Sequence, residues 1–233
     1  MKRFMTAVAA AVFVASSAHA QVLNFEGINR TYPSTNYAFI NGFYNGGTSS
    51  DGTSGTNFGI AFSTNAQAIC LNSLTQTCSN TSRGGVGNPN SRQGGLFFLS
   101  AEQTFMNRSA GFNNGFSFFY AAINSGGSFS VWSGLNGTGS LLASLALGVT
   151  PSTCTGFNAG FCPFVAAGVS FAGTAQSVTF AGVANQIVFD DVTFGSRVPD
   201  VDVGVVPEPA TVVLMGTGLL ALAGIARRRR TTV

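Results

Sequence analysis

Apolar and polar positions alternate along this chain over short stretches that are separated by turn-forming residues. Glycine, serine, asparagine and threonine interrupt the apolar stretches about every 8–12 residues, the spacing typical of a sandwich or barrel. Residues 128–131 (Ser-Phe-Ser-Val) alternate as a half-buried strand does. The pattern predicts strands at residues 37–44, 58–63, 95–100, 115–123, 128–133, 140–147, 165–171, 177–181 and 186–194. We therefore expect an all-β fold, an antiparallel β-sandwich of jelly-roll type.

Two connections between these strands have a readable composition. Residues 135–139 (Leu-Asn-Gly-Thr-Gly) have turn chemistry, so residues 129–147 form a candidate hairpin. The long glycine-rich stretch 41–59 lacks the G-x-x-x-x-G-K-[ST] order of a phosphate-binding loop, and no helix follows it. We interpret it as a flexible connection.

The chain begins with a stretch that is typical of a secretory signal peptide. Lys2 and Arg3 precede an apolar run at residues 4–15, and Ala18 and Ala20 form an A-x-A cleavage site. An N-terminal membrane anchor, the alternative, needs a longer apolar run. The prediction is a signal helix at residues 1–20 that is removed on export.

The C-terminal 27 residues combine three different parts. Pro207, Glu208 and Pro209 form an extended tripeptide, because proline disfavours helix at its own and the preceding position. Residues 212–226 carry no charge and would span about 22 Å as a helix, less than the roughly 30 Å of a bilayer core. Four arginines then end the run: Arg227, Arg228, Arg229 and Arg230. This order favours a transient transmembrane-type helix with a cytoplasmic end over a buried core helix.

The order Val-Pro-Glu-Pro-Ala-Thr, apolar run and arginine cluster at residues 206–230 resembles the PEP-CTERM sorting signal of Gram-negative bacteria. The resemblance implies processing by an exosortase, a membrane-embedded cysteine transpeptidase, which recognises the tripeptide Pro207, Glu208 and Pro209. It implies transient anchoring in the inner membrane and delivery to the cell surface or extracellular matrix, often in association with exopolysaccharide. The three residues would be a recognition element and not catalytic.

These ends define the predicted organisation of the chain and its charge. Residues 21–198 are the sandwich domain, 199–206 a linker and 207–230 the sorting segment. Between the two sorting segments five arginines face seven acids, so the net charge of +3 of the whole chain comes from its ends. The body has no basic patch for nucleic acid, and we predict no nucleic-acid partner.

The histidine content limits the chemistry of the mature protein. His19 is the only histidine, and it lies in the signal peptide. A Ser-His-Asp triad, a Cys-His pair and a histidine metal site are thereby excluded from the mature chain. A glycosidase needs only two carboxylates, which Asp51 or Glu102 with Asp190 or Asp191 would have to supply. We predict that the protein is not an enzyme.

The four cysteines predict disulfide bonds in an exported chain, with three possible connectivities. Cys70 and Cys78 are separated by seven residues, and so are Cys154 and Cys162. This equal spacing favours two local bonds, Cys70–Cys78 and Cys154–Cys162. Zinc is the alternative, but the short spacing of structural zinc ligands is absent.

Acids near both ends of the body form a candidate metal site. Glu26 lies in the segment Phe-Glu-Gly, and Asp190 and Asp191 lie in the last predicted strand, where alternation puts Asp190 on the face of Val188, Val192 and Phe194. The two segments resemble those of secreted carbohydrate-binding jelly rolls, in which an acid at each end helps to hold a structural calcium. Carboxylate oxygens suit calcium; a salt bridge to an arginine, or exposure of Asp191, is the alternative.

The function of the body stays open between three hypotheses at this point. The first is a structural or adhesive matrix component. The second is a carbohydrate-binding module that recognises exopolysaccharide through exposed aromatics, for which Trp132, Tyr120, Tyr37 and Tyr44 are candidates. The third is a glycoside-active enzyme, which we favour least.

Overall fold

The computed structural model describes residues 21–30, 37–71, 93–151 and 161–199. All of them lie in one compact unit, Ala20–Val203. Within these ranges the chain forms strands and one 3-10 turn at Leu135–Gly137, without an α-helix. Accordingly, no helix of the described ranges has the length and hydropathy of a membrane span. The predicted signal helix and the C-terminal helix lie outside the described residues.

The described strands confirm the all-β, antiparallel prediction. In chain order they are β1 Val22–Leu23, β2 Tyr37–Phe39, β3 Ile60–Phe62, β4 Gln67–Cys70, β5 Gly94–Phe97, β6 Gln103–Ala122, β7 Gly127–Trp132, β8 Leu141–Leu147, β9 Val165–Gly182 and β10 Ile187–Phe194. They join in one sheet of order β2-β4-β5-β10-β6-β9-β7-β8, with β1 paired to β10 and β3 paired to β6. The candidate hairpin is the antiparallel pair β7–β8, in which Phe129 lies opposite Leu145.

Two long strands, β6 and β9, carry the sheet from one layer into the other. The first part of β6 pairs with β3 and with the end of β9, whereas its second part pairs with β10 and with the start of β9. Register shifts separate the two parts, between Asn107 and Phe112 and between Phe112 and Asn114. Gly111 and Gly173 have φ values of 74° and 85° there, which only glycine adopts without strain.

Phenylalanine rings fill the space between the two layers. Phe118 of β6 lies 4.8 Å from Phe129 of β7, 5.3 Å from Phe189 of β10 and 5.8 Å from Phe180 of β9, measured between ring centroids. All four side chains are fully buried. Each such aromatic pair contributes about 0.5–1.5 kcal/mol beyond the burial of its area. The rings connect strands of both layers, so the folded sheet is a β-sandwich.

A second apolar cluster covers the outer side of the layer that contains β10. Its buried members are Ile69, Leu71, Phe97, Ala121, Phe161 and Val188. Strand β10 is therefore covered on both faces, and all eight of its residues are buried. Strands buried on both faces do not show a polar-apolar alternation.

Several predicted strand boundaries differ from the structure. The predicted strand at residues 115–123 is the second half of β6, and those at 165–171 and 177–181 are both parts of β9. Glycine marks a turn in most strand patterns, but Gly111 and Gly173 here mark bends within strands. The short strands β1 and β4 were not predicted. Strand β4 is buried at all four positions, which removes the alternation by which a strand is recognised.

Candidate functional site

The turn that follows β1 fixes a carboxylate against the start of β5. Phe25 and Gly27 have φ values of 55° and 73° and reverse the chain around Glu26. Glu26 Oε1 accepts hydrogen bonds from the backbone N–H groups of Gln93, at 2.7 Å, and Gly94, at 2.9 Å. Two such bonds hold the carboxylate in one position.

Asp190 and Asp191 form a buried bulge in β10. Neither has solvent exposure, and Asp191 has a φ of 46°. The Asp191 N–H donates to Asp190 Oδ1 at 2.7 Å, and Thr193 Oγ1 donates to the Asp191 carbonyl at 3.0 Å. Pairing with β6 shifts register between Asp190 and Thr193. Aspartate tolerates the left-handed conformation better than most residues, so the bulge suits these residue types.

The bulge overturns the predicted facing of β10. Alternation placed Val188, Asp190, Val192 and Phe194 on one face, but Val188 belongs to the outer apolar cluster, whereas Val192 and Phe194 belong to the main core. The extra residue of a β-bulge reverses the order of inward and outward side chains beyond it. The prediction that these residues share one face is wrong.

The three predicted metal ligands lie in neighbouring parts of the sheet. Strands β1 and β5 both pair with β10, and Glu26 contacts the start of β5. Among the described residues, however, no three acidic, histidine or cysteine side chains are grouped so that they could hold a metal ion. Calcium prefers six to eight oxygen ligands, so a site here would need main-chain or amide oxygens as well. Calcium binding stays a prediction.

A cleft with a volume of about 290 Å³ opens beside Glu26. We call it the aromatic cleft; its lining residues are Val22, Asn24, Glu26, Phe43, Tyr44, Gly55, Thr56 and Phe58. The ring of Tyr44 stacks on that of Phe58 at 6.1 Å and 20°, and meets Phe43 edge-on at 4.9 Å. The Tyr44 hydroxyl accepts the Phe25 N–H at 3.0 Å. Aromatic rings thus line the cleft together with an amide, a carboxylate and a hydroxyl.

The glycine-rich loop at residues 41–59 forms one wall of this cleft and is held by hydrogen bonds. The Gly47 N–H donates to the Gly42 carbonyl at 2.8 Å, and the Ser49 and Thr53 hydroxyls are 2.9 Å apart. Asp51 Oδ2 accepts the Arg30 N–H at 2.7 Å and lies 3.7 Å from Arg30 Nε. The interpretation as a flexible connection did not include these hydrogen bonds. Most of them join residues of the loop to one another through backbone groups, which the sequence pattern does not reveal.

The remaining candidate residues lie outside the aromatic cleft. Tyr37 is exposed, and Trp132 is half-buried with its Nε1–H donating to Thr179 Oγ1 at 3.0 Å. Tyr120 is buried and lines a second cavity, and burial raises the pKa of its phenol, although a backbone hydrogen bond from Gly148 opposes the shift. Glu102 is exposed at the start of β6.

Cys70 and Cys162 are both buried and disulfide-bonded. Cys78 and Cys154 lie outside the described residues, so the predicted pairing stays a prediction. Three further sets of predicted residues also lie outside the described residues: the signal cleavage residues Ala18 and Ala20, the tripeptide Pro207, Glu208 and Pro209, and the arginines Arg227, Arg228, Arg229 and Arg230.

The fold defines the body as an all-β, antiparallel sandwich domain with a fixed carboxylate beside an aromatic cleft. At its C-terminal side, the chain carries the PEP-CTERM protein-sorting motif, whose family model matches residues 205–230. This match confirms the resemblance predicted from the tripeptide, the apolar run and the arginines. No curated protein matches the chain.

One solved structure with some similarity is a carbohydrate binding module (CBM6cm-2) from Cellvibrio mixtus lichenase 5A, in complex with cellotriose. It is 10% identical in sequence, with a TM-score of 0.34, over 57% of this chain and 87% of that chain. A TM-score this low establishes neither a shared fold nor a shared ligand.

Proposed function

We propose that this chain is an exported cell-surface or extracellular-matrix protein that an exosortase sorts through Pro207, Glu208 and Pro209. The observation that carries the proposal is the PEP-CTERM protein-sorting motif at residues 205–230. The prolines keep the tripeptide extended and therefore readable by an enzyme. The short apolar run and the four arginines would hold the chain transiently in the inner membrane, with the arginines on the cytoplasmic side.

This proposal is tested by replacing Pro207, Glu208 and Pro209 with alanine and measuring the intact mass of the protein in medium and membranes. The unchanged protein should start at Gln21 and end near the tripeptide, whereas the variant should keep its arginines and stay with the membrane. Alanines at Asp200, Val201 and Asp202 serve as the matched control, which should be processed normally. Normal release of the tripeptide variant would contradict the proposal.

We further propose that the body, residues 21–198, is a non-enzymatic structural or adhesive domain of jelly-roll type, joined by a linker at 199–206. Two observations support this. The mature chain has no histidine, and two of the four candidate acids, Asp190 and Asp191, have no contact with solvent. Glycosidase acids must reach both the sugar and a water molecule. The proposal fails if the purified protein degrades the polysaccharide of its host and loses this activity on replacement of Asp51 or Glu102.

A second candidate function is carbohydrate binding, and the aromatic cleft favours it. Binding sites combine apolar and aromatic walls with a few polar groups that fix the ligand. Here the half-buried ring of Phe58 offers surface for the C–H groups of a sugar, and the polar side chains of Asn24, Glu26 and Thr56 line the cleft around it. The partner would be exopolysaccharide of the producing cell.

Binding of that polysaccharide by pull-down, or of fragments on a glycan array, tests the second candidate. Phe58→Ala should abolish binding, whereas Tyr37→Ala, an exposed aromatic outside the cleft, should leave it unchanged. Equal loss in both variants, or no binding by the unchanged protein, would contradict a site in the aromatic cleft. Neither result bears on sorting, which depends on the tail.

Calcium at Glu26 with Asp190 or Asp191 is a further proposal about the body. A bound ion stabilises the folded state by about 2.7 kcal/mol at a free concentration of 100 times its Kd. We therefore expect the melting temperature to fall on chelation and to recover with calcium. Glu26→Gln should remove this response, and a melting temperature that is indifferent to chelator would contradict the proposal.

A further inference from the structure

Within the part of the chain that the structure describes, strand β8 ends the sheet, and one of its edges has no paired strand. It is the last strand of the sheet order, and its pairing within the described residues is with β7 alone. An unpaired edge presents a row of N–H and C=O groups that can pair with another strand. Strand β8 pairs with β7 in regular register from Ala143 to Leu147. The one register shift between these two strands lies at the start of β8.

Leu145 faces the core side of β8 but stays exposed. It lies opposite Phe129, which is fully buried, and paired residues in antiparallel strands point to the same face. Nevertheless, 37% of Leu145 is exposed. It lines a cavity of about 360 Å³ together with Tyr120, Leu147 and Ala167. Among the described residues no strand pairs with the free edge of β8, and a strand added to that edge would cover Leu145.

Strand β8 itself carries none of the residue types that protect a sheet edge against pairing. Sheet edges are usually blocked by charged side chains, by proline or by strong bulges. Strand β8 reads Leu-Leu-Ala-Ser-Leu-Ala-Leu, and residues 109–189 contain no aspartate, glutamate, lysine or arginine. Strand β8 itself carries no charge, so two β8 strands meet without repulsion between like charges; the charged residue that lines the cavity beside Leu145 is Arg197.

We propose that β8 is the self-association edge of this protein and pairs with β8 of a second copy. The pairing is antiparallel about a two-fold axis at Leu145, which places Leu145 opposite Leu145 of the second copy and Ala143 opposite Leu147. Such an isologous contact closes as a dimer. It covers Leu145 in both copies and continues the sheet from one copy into the other.

The test is the sedimentation of the purified protein, in detergent where the tail is retained, together with variants at Leu145. The unchanged protein should sediment as a dimer. Leu145→Lys and Leu145→Glu should each be monomeric, because equal charges would lie opposite one another. A mixture of the two variants should dimerise again, which misfolded variants would not do. Leu99→Lys is the matched control: Leu99 follows β5 and is 39% exposed, and its variant should stay dimeric.

A cysteine variant tests the register independently. Leu145→Cys should form a disulfide-linked dimer under oxidation, because directly opposite residues of paired strands lie about 4.5–5.5 Å apart. Leu99→Cys should not. A monomeric unchanged protein, or dimers that persist in both the Leu145→Lys and Leu145→Glu variants, would overturn the proposal.

Discussion

Gly94 is the residue on which the position of Glu26 most directly depends. A Cβ atom at Gly94 would overlap the carbonyl oxygen of Phe25. Because this neighbour is backbone within a tight turn, it cannot rotate away. We expect Gly94→Ala to lower the free energy of unfolding by about 3 kcal/mol, at the upper end of overpacking effects.

Urea denaturation of matched alanine variants measures this effect. Gly148 has no atom within 4 Å of the corresponding Cβ position, so Gly148→Ala should leave the stability nearly unchanged. Equal effects of the two variants would show that the turn around Glu26 can shift, and that the carboxylate is not fixed by β5.

The raised pKa of the Tyr120 phenol predicts that the protein loses stability at alkaline pH. Burial raises the pKa of its phenol above the ordinary 10.0, so the folded protein binds this proton more tightly than the unfolded chain does. The stabilisation from the neutral phenol is complete below pH 10.0 and is lost as the pH rises through the folded pKa. The difference in unfolding free energy between the unchanged protein and Tyr120→Phe should therefore fall above that pH. A constant difference would contradict the shift.

Single residues also show which parts of the candidate site could be predicted from the sequence and which could not. The sequence indicated Glu26, Asp190 and Asp191 because buried or paired carboxylates are rare and chemically distinct. It did not indicate Gln93 and Gly94, whose contribution is backbone N–H groups that every residue type except proline carries. It also missed Phe58 and Thr56, since a cleft residue has no pattern of its own along the chain.

At the scale of elements, the bends in β6 and β9 decide how the two layers meet. Gly111 and Gly173 both have positive φ, but their surroundings differ. A Cβ at Gly111 would overlap Thr174 Cγ2, whereas nothing lies within 4 Å of that position at Gly173. Gly173→Ala should lower the unfolding free energy by about 1–2 kcal/mol, the strain of the left-handed conformation. Gly111→Ala should cost about 1 kcal/mol more through the added clash.

Thermal or urea unfolding of the two variants distinguishes strain from crowding. The comparison is matched, because both substitutions add one methyl group at a left-handed glycine in a bend. If Gly173→Ala were the more harmful of the two, the bend in β9 would depend on a contact other than the ones described.

The same bends explain which strands could be predicted. Strand β7 follows from sequence because it lies at one side of the core and alternates between Phe129, Val131 and polar residues. Strands β6 and β9 could not be recognised as continuous, since glycines in their interiors have the signature of turns. For β10 the signal failed differently: burial on both faces hides the bulge at Asp190, which changes the facing of the residues after it.

At the scale of the whole molecule, sorting and binding differ in how they are encoded. The sorting motif is one contiguous stretch, residues 205–230, so its order can be read directly. The aromatic cleft is assembled from residues 22–26, 43–44 and 55–58, with β5 behind Glu26. Distances between such segments depend on the complete fold. For this reason the sorting motif was predictable from sequence, and the place of the candidate binding site was not.

The last prediction concerns how the disulfides constrain the whole body. Cys70 ends β4 and Cys162 precedes β9, and both are disulfide-bonded. Local bonds, Cys70–Cys78 and Cys154–Cys162, would each close a loop without joining distant strands. Replacement of Cys70 by alanine leaves its partner as a free thiol, which alkylation and peptide mass spectrometry identify. We expect the label on Cys78, and in the Cys162→Ala variant on Cys154. A label on Cys154 or Cys162 in the first variant would show instead that the bonds cross the domain. In that case their reduction should destabilise the body more, because a longer closed loop restricts the unfolded chain more strongly.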